Sequence, residues 1–322
     1  MPPTVLLDLT HTSHTNARTG VQRVVRSLGT ALGDRARPVC YDPYLGDWRD
    51  LEGWELANLA AEAPAANRGA RWPLRARLRS WIRRFGAGFS SSKPGQGGLD
   101  AAQLGNDALL APELFSRKTA GALGRLRSRV RGPRVAIFYD AIALRLPELT
   151  PSRTVARFPS YLQELLAFDG IAAISEDSRQ SLLDYWRWLG IGSAPPVAAI
   201  TLGVDPPMES SEPGENGLAA SKRSEDTRTL LCVSTIEGRK NHLALLDACE
   251  RLWTRGVRFE MRLIGLAQPQ TGREALEKIA SLQRAGRPLR YDGPVDDATL
   301  ASATGNARSP FTRRCSRDSA SR

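Results

Sequence analysis

Arg239 and Lys240 are the residues of this chain best placed for chemistry. They lie in the stretch 229–248 (TLLCVSTIEGRKNHLALLDA), where an apolar strand feeds a tight loop and then an amphipathic helix. Such a junction leaves the first backbone N–H groups of the helix without intrahelical partners, and two fixed cations beside them complement a diphosphate. Taken alone, the same segment also reads as a basic surface loop, because isolated phosphate-loop patterns match by chance. On the N-terminal side, Gly20 follows the first strand, where a missing side chain lets backbone approach a phosphate or an acceptor. Arg23, three residues on, is an acceptor-side candidate. Asp140, at the end of a strand, and Glu176, at a helix start, are candidates for acceptor contact or for a base role, with Asp140 as the tentative catalytic carboxylate. Each has a structural alternative: Asp140 as a loop-stabilising carboxylate, Glu176 as favourable charge at a helix N-terminus.

The elements that must position these groups alternate. Residues 4–10 read as a buried parallel strand, followed by a polar loop over 11–19 and a helix over about 20–32. A second strand is expected at 39–44, after which periodicity is lost from about 45 to 130, with a flexible loop at 90–98 (SSSKPGQGG). Order returns with a strand at 134–140, a helix over 152–166, a strand at 170–174, a helix N-capped by Ser175 with Leu182, Leu183 and Trp186 facing inward, and a strand at 197–202. Residues 209–228, rich in Ser, Glu, Gly and Pro, read as a linker. Beyond it the alternation resumes: helix 242–255, strand 260–264, helix 273–285, strand 289–292. Repeated βα units imply an α/β protein with parallel sheets and right-handed crossovers.

The 322 residues suffice for two cores, and 41% hydrophobic with 25% charged content is ordinary for globular domains. No run of eighteen apolar residues and no basic-then-apolar leader is present, so a cytoplasmic location is expected. Cys40, Cys232, Cys249 and Cys315 lack CxxC spacing and only three histidines accompany them, so no metal site is expected; Cys232 and Cys249 read as small apolar residues. The net charge of +11 raises nucleic acid as a partner, but its placement argues against it. Much of the excess falls in residues 67–88, where seven arginines surround Trp72, Leu74, Leu78, Trp81, Ile82 and Phe85 at helical spacing. That is a basic amphipathic helix: either an insertion packed on its own domain or an attachment, through residues 71–85, to an anionic inner-leaflet surface.

Seven segments in order resemble the retaining glycosyltransferases of family 4. They are 5–10 (VLLDLT) with 19–28 (TGVQRVVRSL); 138–144 (FYDAIAL) with Pro147 and Glu148; 168–179 (FDGIAAISEDSR); 202–205 (LGVD); 237–241 (EGRKN); 263–265 (LIG); and 291–297 (YDGPVDD). The resemblance implies a GT-B fold, two Rossmann-like domains: an acceptor-side domain over 1–208 with a basic, irregular insertion over about 45–130, and a nucleotide-sugar domain over 229–308. It implies a nucleotide diphosphate sugar as donor, no metal and no other cofactor, Arg239 and Lys240 as the diphosphate-binding pair together with Gly20, and a saccharide or lipid-linked acceptor in bacterial surface polysaccharide synthesis. The sugar implied is of mannosyl or rhamnosyl type. A non-catalytic remnant acting as a binding module and a basic nucleic-acid-binding protein are the alternatives.

Past Leu300 the resemblance breaks. The family continues into a Pro-Ser-x-x-Glu-Gly-Phe-Gly-Leu-Pro signature carrying donor-site carboxylates, whereas this chain reads SPFTRRCSRDSASR over 309–322, a composition expected to be disordered. Read from the third base of each preceding codon, the codon pairs from Thr312 to Arg322 permit Pro, Ser, Leu, Phe, Glu, Gly, Phe or Leu, Gly, Phe or Leu, and Pro. The expectation is therefore a frameshift after about Arg308, an incomplete second domain, and a chain without transfer activity.

Overall fold

The computed structural model describes residues 4–15, 17, 19–61, 71–86, 98–99, 104, 106–203, 228–305 and 309–310. They fall into two compact units, one from residues 1–145 and 153–202, the other from 146–152 and 203–322. The expected linker over 209–228 up to its last residue, the start of the basic segment at 67–70, most of the glycine-rich loop and the tail beyond residue 310 lie outside the described residues.

Unit 1 is built on a seven-stranded sheet ordered β3-β2-β1-β4-β5-β6-β7. Its elements are β1 (Val5–Asp8), α1 (Gly20–Leu32), β2 (Ala36–Asp42), β3 (Asp47–Asp50), α2 (Gly53–Ala60), α3 (Leu74–Gly86), β4 (Ala108–Ala111), α4 (Arg117–Arg129), β5 (Arg134–Phe138), α5 (Ile142–Arg145), α6 (Ser152–Glu164), β6 (Gly170–Ala173), α7 (Glu176–Trp188) and β7 (Val197–Ala199). All neighbours pair in parallel except β3, an antiparallel edge on β2. The strands are short and apolar because both sheet faces are covered. Leu6, Leu109, Phe138, Leu162 and Trp186 share one core, while Leu7 and Val25 pack on the opposite face. Ser175 caps α7 as expected, accepting a hydrogen bond from the Ser178 N–H at 3.1 Å, and Leu182 and Trp186 are buried.

The insertion over 45–130 is not irregular. It contributes β3, α2, α3, β4 and α4, and β4 is a central strand lying directly between β1 and β5. Its four residues, ALLA, carry no β-branched side chain, and α4 contains Gly121 and Gly124, so neither period is visible in the sequence. With β4 in place, the strand order reverses beside β1. Open α/β sheets hold ligands outside the carboxyl ends of the strands at such a reversal.

Unit 2 carries a parallel four-stranded sheet ordered β10-β9-β8-β11. Its elements are β8 (Arg228–Val233), α8 (His242–Thr254), β9 (Phe259–Ile264), α9 (Pro269–Arg284), β10 (Leu289–Tyr291), α10 (Asp297–Gly305) and β11 (Ser309–Pro310). Strand β11 falls at the start of the stretch expected to be disordered: Ser309 and Pro310 pair with Leu230 and Leu231, on the side of β8 away from β9. Ile236, Leu246, Met261, Leu263 and Ile279 form the unit's core, with Cys232 and Cys249 buried among them as small apolar residues. Two close backbone approaches fix the loops at the carboxyl edge. A Cβ at Gly265, whose φ is +147°, would lie 2.0 Å from the Ser234 carbonyl oxygen, and one at Gly272 would lie 2.3 Å from that of Ile236.

Candidate functional site

The reversal point of unit 1 is a cleft lined by Asp8, Thr10, His11, Tyr41, Trp72, Glu113 and Lys118. Its volume is about 170 Å³. That is below the about 300–1,000 Å³ of sites for drug-sized ligands and suits one sugar ring better than a whole nucleotide. Asp8 ends β1, and Glu113 follows β4 by two residues. Glu113 is buried and gathers the loop after β1: it accepts from the His11 N–H at 2.7 Å, from the Thr12 N–H at 2.8 Å and from the Thr12 hydroxyl. Asp8 accepts from the Thr10 hydroxyl at 2.6 Å and from the Thr10 N–H at 3.0 Å. Burial, then the neighbouring Glu113 charge, pushes the Asp8 carboxyl up to about 7, against Thr10's hydrogen bonds, and burial also raises Glu113. The raised Asp8 carboxyl can hold a proton closer to neutral pH than an ordinary carboxyl and so donate to, as well as accept from, a ligand hydroxyl. Gln22 ties the start of α1 to the cleft, its side-chain amide lying 3.3 Å from His11 Nδ1.

Below the cleft lies a buried ionic network. Arg49 donates to both oxygens of Glu55 at 2.7 and 2.8 Å and to Asp42 at 2.9 Å; His14 Nε2 lies 2.7 Å from Glu55, and Ser80 donates to Asp42 at 2.6 Å. Burial would raise the Glu55 carboxyl, but the hydrogen bonds from His14, Arg49 and the Glu52 N–H bring it down to about 2. Trp72 stacks on His14 with ring centroids 4.0 Å apart. His14, Cys40 and Glu55 bring one ligand atom each within 4.8 Å of one another, a set that invites a metal. The donor chemistry does not fit one. Glu55 is already saturated by Arg49, whose guanidinium supplies the positive charge there, and burial raises the Cys40 thiol away from the thiolate that binds metals.

In unit 2, Arg239 and Lys240 occupy a 3₁₀ turn, Gly238–Lys240, directly before α8. Asn241 caps that helix from a left-handed conformation, φ +49° in sign and near 49° in size, accepting from the Ala244 N–H at 3.4 Å. Arg239 is paired at 2.8 Å with Glu237, which is buried. His242, the first helical residue, is buried with Nε2 3.0 Å from the Ser234 hydroxyl; burial, with the nearby Lys240 charge, lowers it to about 4. Gly238 is closed in by Leu149 and by the Thr271 carbonyl, each 3.2 Å from where a Cβ would stand.

The remaining candidates are not gathered into the cleft. Asp140 follows β5 and its carboxylate accepts from the Ile142 N–H at 3.1 Å, which caps α5. Glu176 is exposed on the first turn of α7 and pairs with Arg179 at 2.7 Å. Gly20 begins α1 with nothing within 4 Å of where a Cβ would stand, so local packing does not require glycine there. Arg23 is exposed on the same helix. Sequence reasoning missed Glu113 and Trp72 because both lie in the stretch read as irregular, and it passed over Asp8, whose position ending an apolar strand was visible.

No protein-family profile matches the chain. The serotype-specific mannosyltransferase WbdA of Escherichia coli is 24% identical over 94% of the chain, in two sequences. The chain spans about a third of those relatives, 35% and 34% of their length. Among solved structures, the Anabaena protein HepE in complex with UDP and glucose superposes with a TM-score of 0.55 at 13% identity, over 95% of this chain and 72% of that one. Sucrose-phosphate synthase from Thermosynechococcus elongatus gives 0.53 at 14% identity, over 95% and 74%. The chain is thus similar in sequence to these mannosyltransferases and has the GT-B fold of these structures. The two candidate sites, the acidic cleft and the basic turn, both lie at carboxyl edges of parallel sheets.

Proposed function

We propose that this chain is of the retaining glycosyltransferase lineage, whose reaction moves a hexose of mannosyl or rhamnosyl type from a nucleotide diphosphate sugar to a saccharide or lipid-linked acceptor in bacterial surface polysaccharide synthesis, and that the chain as given binds donor without carrying out transfer. The observation that carries this reading is the basic turn of unit 2. Arg239 and Lys240 stand at the N-terminus of a thirteen-residue helix that follows β8, where cations, free N–H groups and the helix dipole act together on a diphosphate. Stabilising that leaving group as the glycosidic bond breaks is the main electrostatic demand of the reaction. HepE, solved with UDP and glucose, supports a UDP-type donor, and WbdA supports mannose.

On the acceptor side the reading moves from Glu176 and Arg23 to the cleft of unit 1. Asp8 and Glu113 offer hydrogen-bonding carboxyl groups to sugar hydroxyls, and Trp72 offers an aromatic wall to a ring face. Asp140 is kept as the candidate catalytic carboxylate; its Oδ1 accepts from the Ile142 N–H. No metal or other cofactor enters this scheme. The enzyme works at the cytoplasmic side, with peripheral contact to an anionic membrane through residues 71–85.

The test is calorimetric titration of the folded chain with UDP- and GDP-linked hexoses. A charged hydrogen bond contributes about 1.5–3 kcal/mol, so Lys240→Ala and Arg239→Ala should each weaken donor binding about tenfold or more while leaving the thermal melt in place. Donor binding unchanged in the double variant would remove the diphosphate role, and no binding of any such donor by the folded wild-type chain would remove the functional reading.

A further inference from the structure

Helix α3 is mounted back to front for a protein surrounded only by water. Its sequence, LRARLRSWIRRFG, holds five arginines and no acid. The residues that face the unit are small and polar: Ala76 is 4% exposed and Ser80 2%, and Ser80 donates to the buried Asp42. Its large apolar residues face away: Leu74 is 78% exposed, Leu78 59%, Trp81 53% and Ile82 53%. At about 100° per residue, Leu74, Leu78, Trp81 and Ile82 cluster on the side opposite Ala76 and Ser80. Arg75 and Arg79 fall on one flank of that apolar stripe, Arg77 and Arg84 on the other. A stripe buried against a protein core would put its apolar side inward.

The mount is firm. Arg71 donates its N–H to the His14 carbonyl at 2.8 Å just ahead of the helix, Trp72 stacks on His14, and Arg79 and Arg83 reach Glu52 at 3.3 and 3.2 Å. The helix is thus held through its approach, its small inward residues and its flanking arginines. Resting on the acceptor reading above, we propose that α3 lies in the plane of an anionic lipid surface with Leu74, Leu78, Trp81 and Ile82 immersed, which sets Trp72 and the cleft it lines beside that surface and selects a lipid-borne saccharide as acceptor. The arginines on both flanks choose the occupant. They repel a second copy of the same face and match acidic headgroups, while the apolar stripe accounts for immersion of about 5–10 Å.

The experiment is flotation of the full chain with phosphatidylcholine vesicles, with and without phosphatidylglycerol, alongside quenching by brominated lipids. Wild-type protein should float with the anionic vesicles, and Leu78→Glu/Trp81→Glu should lose that binding about tenfold or more with an unchanged melt, since both side chains are exposed. Bromolipid quenching should fall in Trp81→Phe and persist in Trp188→Phe, whose exposed ring on α7 serves as the control. The proposal is overturned if the double variant floats like wild type, if neutral vesicles bind equally well, if quenching follows Trp188 instead, or if the double variant merely converts a soluble oligomer to a monomer. Vesicle binding needs no sugar donor. Its failure would leave the donor-binding result standing, and the reverse also holds.

Discussion

The frame around Arg49 in unit 1 buries its charges, and the basic turn of unit 2 keeps its cations near water. In unit 1, Arg49, Asp42 and Glu55 are almost wholly enclosed, each matched by fixed partners at 2.7–2.9 Å. In unit 2 the cations of the turn before α8 are only partly covered, with Arg239 tied to one buried acid, Glu237. An enclosed ion pair cannot exchange partners cheaply, so it serves as a frame, whereas a partly solvated cation can hand its partner over to an incoming phosphate. The first arrangement holds a cleft in shape, and the second is suited to a ligand that arrives and leaves.

The sharpest way to break this contrast is to remove one buried partner. Glu55→Ala strands Arg49 and should cost about 3–5 kcal/mol in thermal denaturation, enough to lower cooperative unfolding of the protein markedly. A loss under 1 kcal/mol would mean the network is not a frame. The two units should next differ in the sign of their pH response. Asp8 has a folded value near 7 against 3.8 unfolded, so the folded state holds the extra proton and stability is lost as pH rises from about 4 to 7. His242 has a folded value near 4 against 6.5, so stability is lost as pH falls from about 6.5 to 4. Melts of Asp8→Asn and His242→Gln across that range should each abolish one slope, with Asp8→Asn recovering at most about 4 kcal/mol above pH 7. An Asp8→Asn variant with an unaltered pH profile would place the proton elsewhere. The smallest effect is reserved for Glu176→Ala, an exposed pair expected to change stability by less than about 0.5 kcal/mol. A larger change, or a loss of acceptor-saccharide binding without a stability change, would restore Glu176 as an acceptor residue.

The parts of the molecule legible in its sequence are those written locally. The strand, turn and helix around Arg239 and Lys240 are contiguous, and their residue types alone specify an anion-binding geometry. The strands at 134–138 and 170–173 are likewise largely apolar runs beside clear helices, and 259–264 alternates apolar with charged residues. The cleft of unit 1 is not local: His11 meets Glu113 across 102 residues. It depends on β4, whose four small or unbranched residues resemble any short apolar run, and without β4 there is no strand reversal to locate a site. Trp72 was visible as part of a basic amphipathic helix, but its stacking on His14 follows from tertiary contact only. Asp140 and Glu176 were visible as carboxylates at a strand end and a helix start, but not that the Ile142 N–H and the Arg179 guanidinium would already engage them.

Gly272 sits in the fourth position of α9, a place where replacement by alanine ordinarily strengthens a helix by close to about 1 kcal/mol. Here the helix backbone rests against the Ile236 carbonyl, one residue ahead of Glu237 and the turn that carries Arg239 and Lys240. A methyl group at this contact would act as a shim, lifting the whole turn from its seat. For anyone stabilising this protein by consensus or propensity, Gly272→Ala is therefore a trap: a change that improves the helix on paper and misplaces the cations thirty-odd residues upstream.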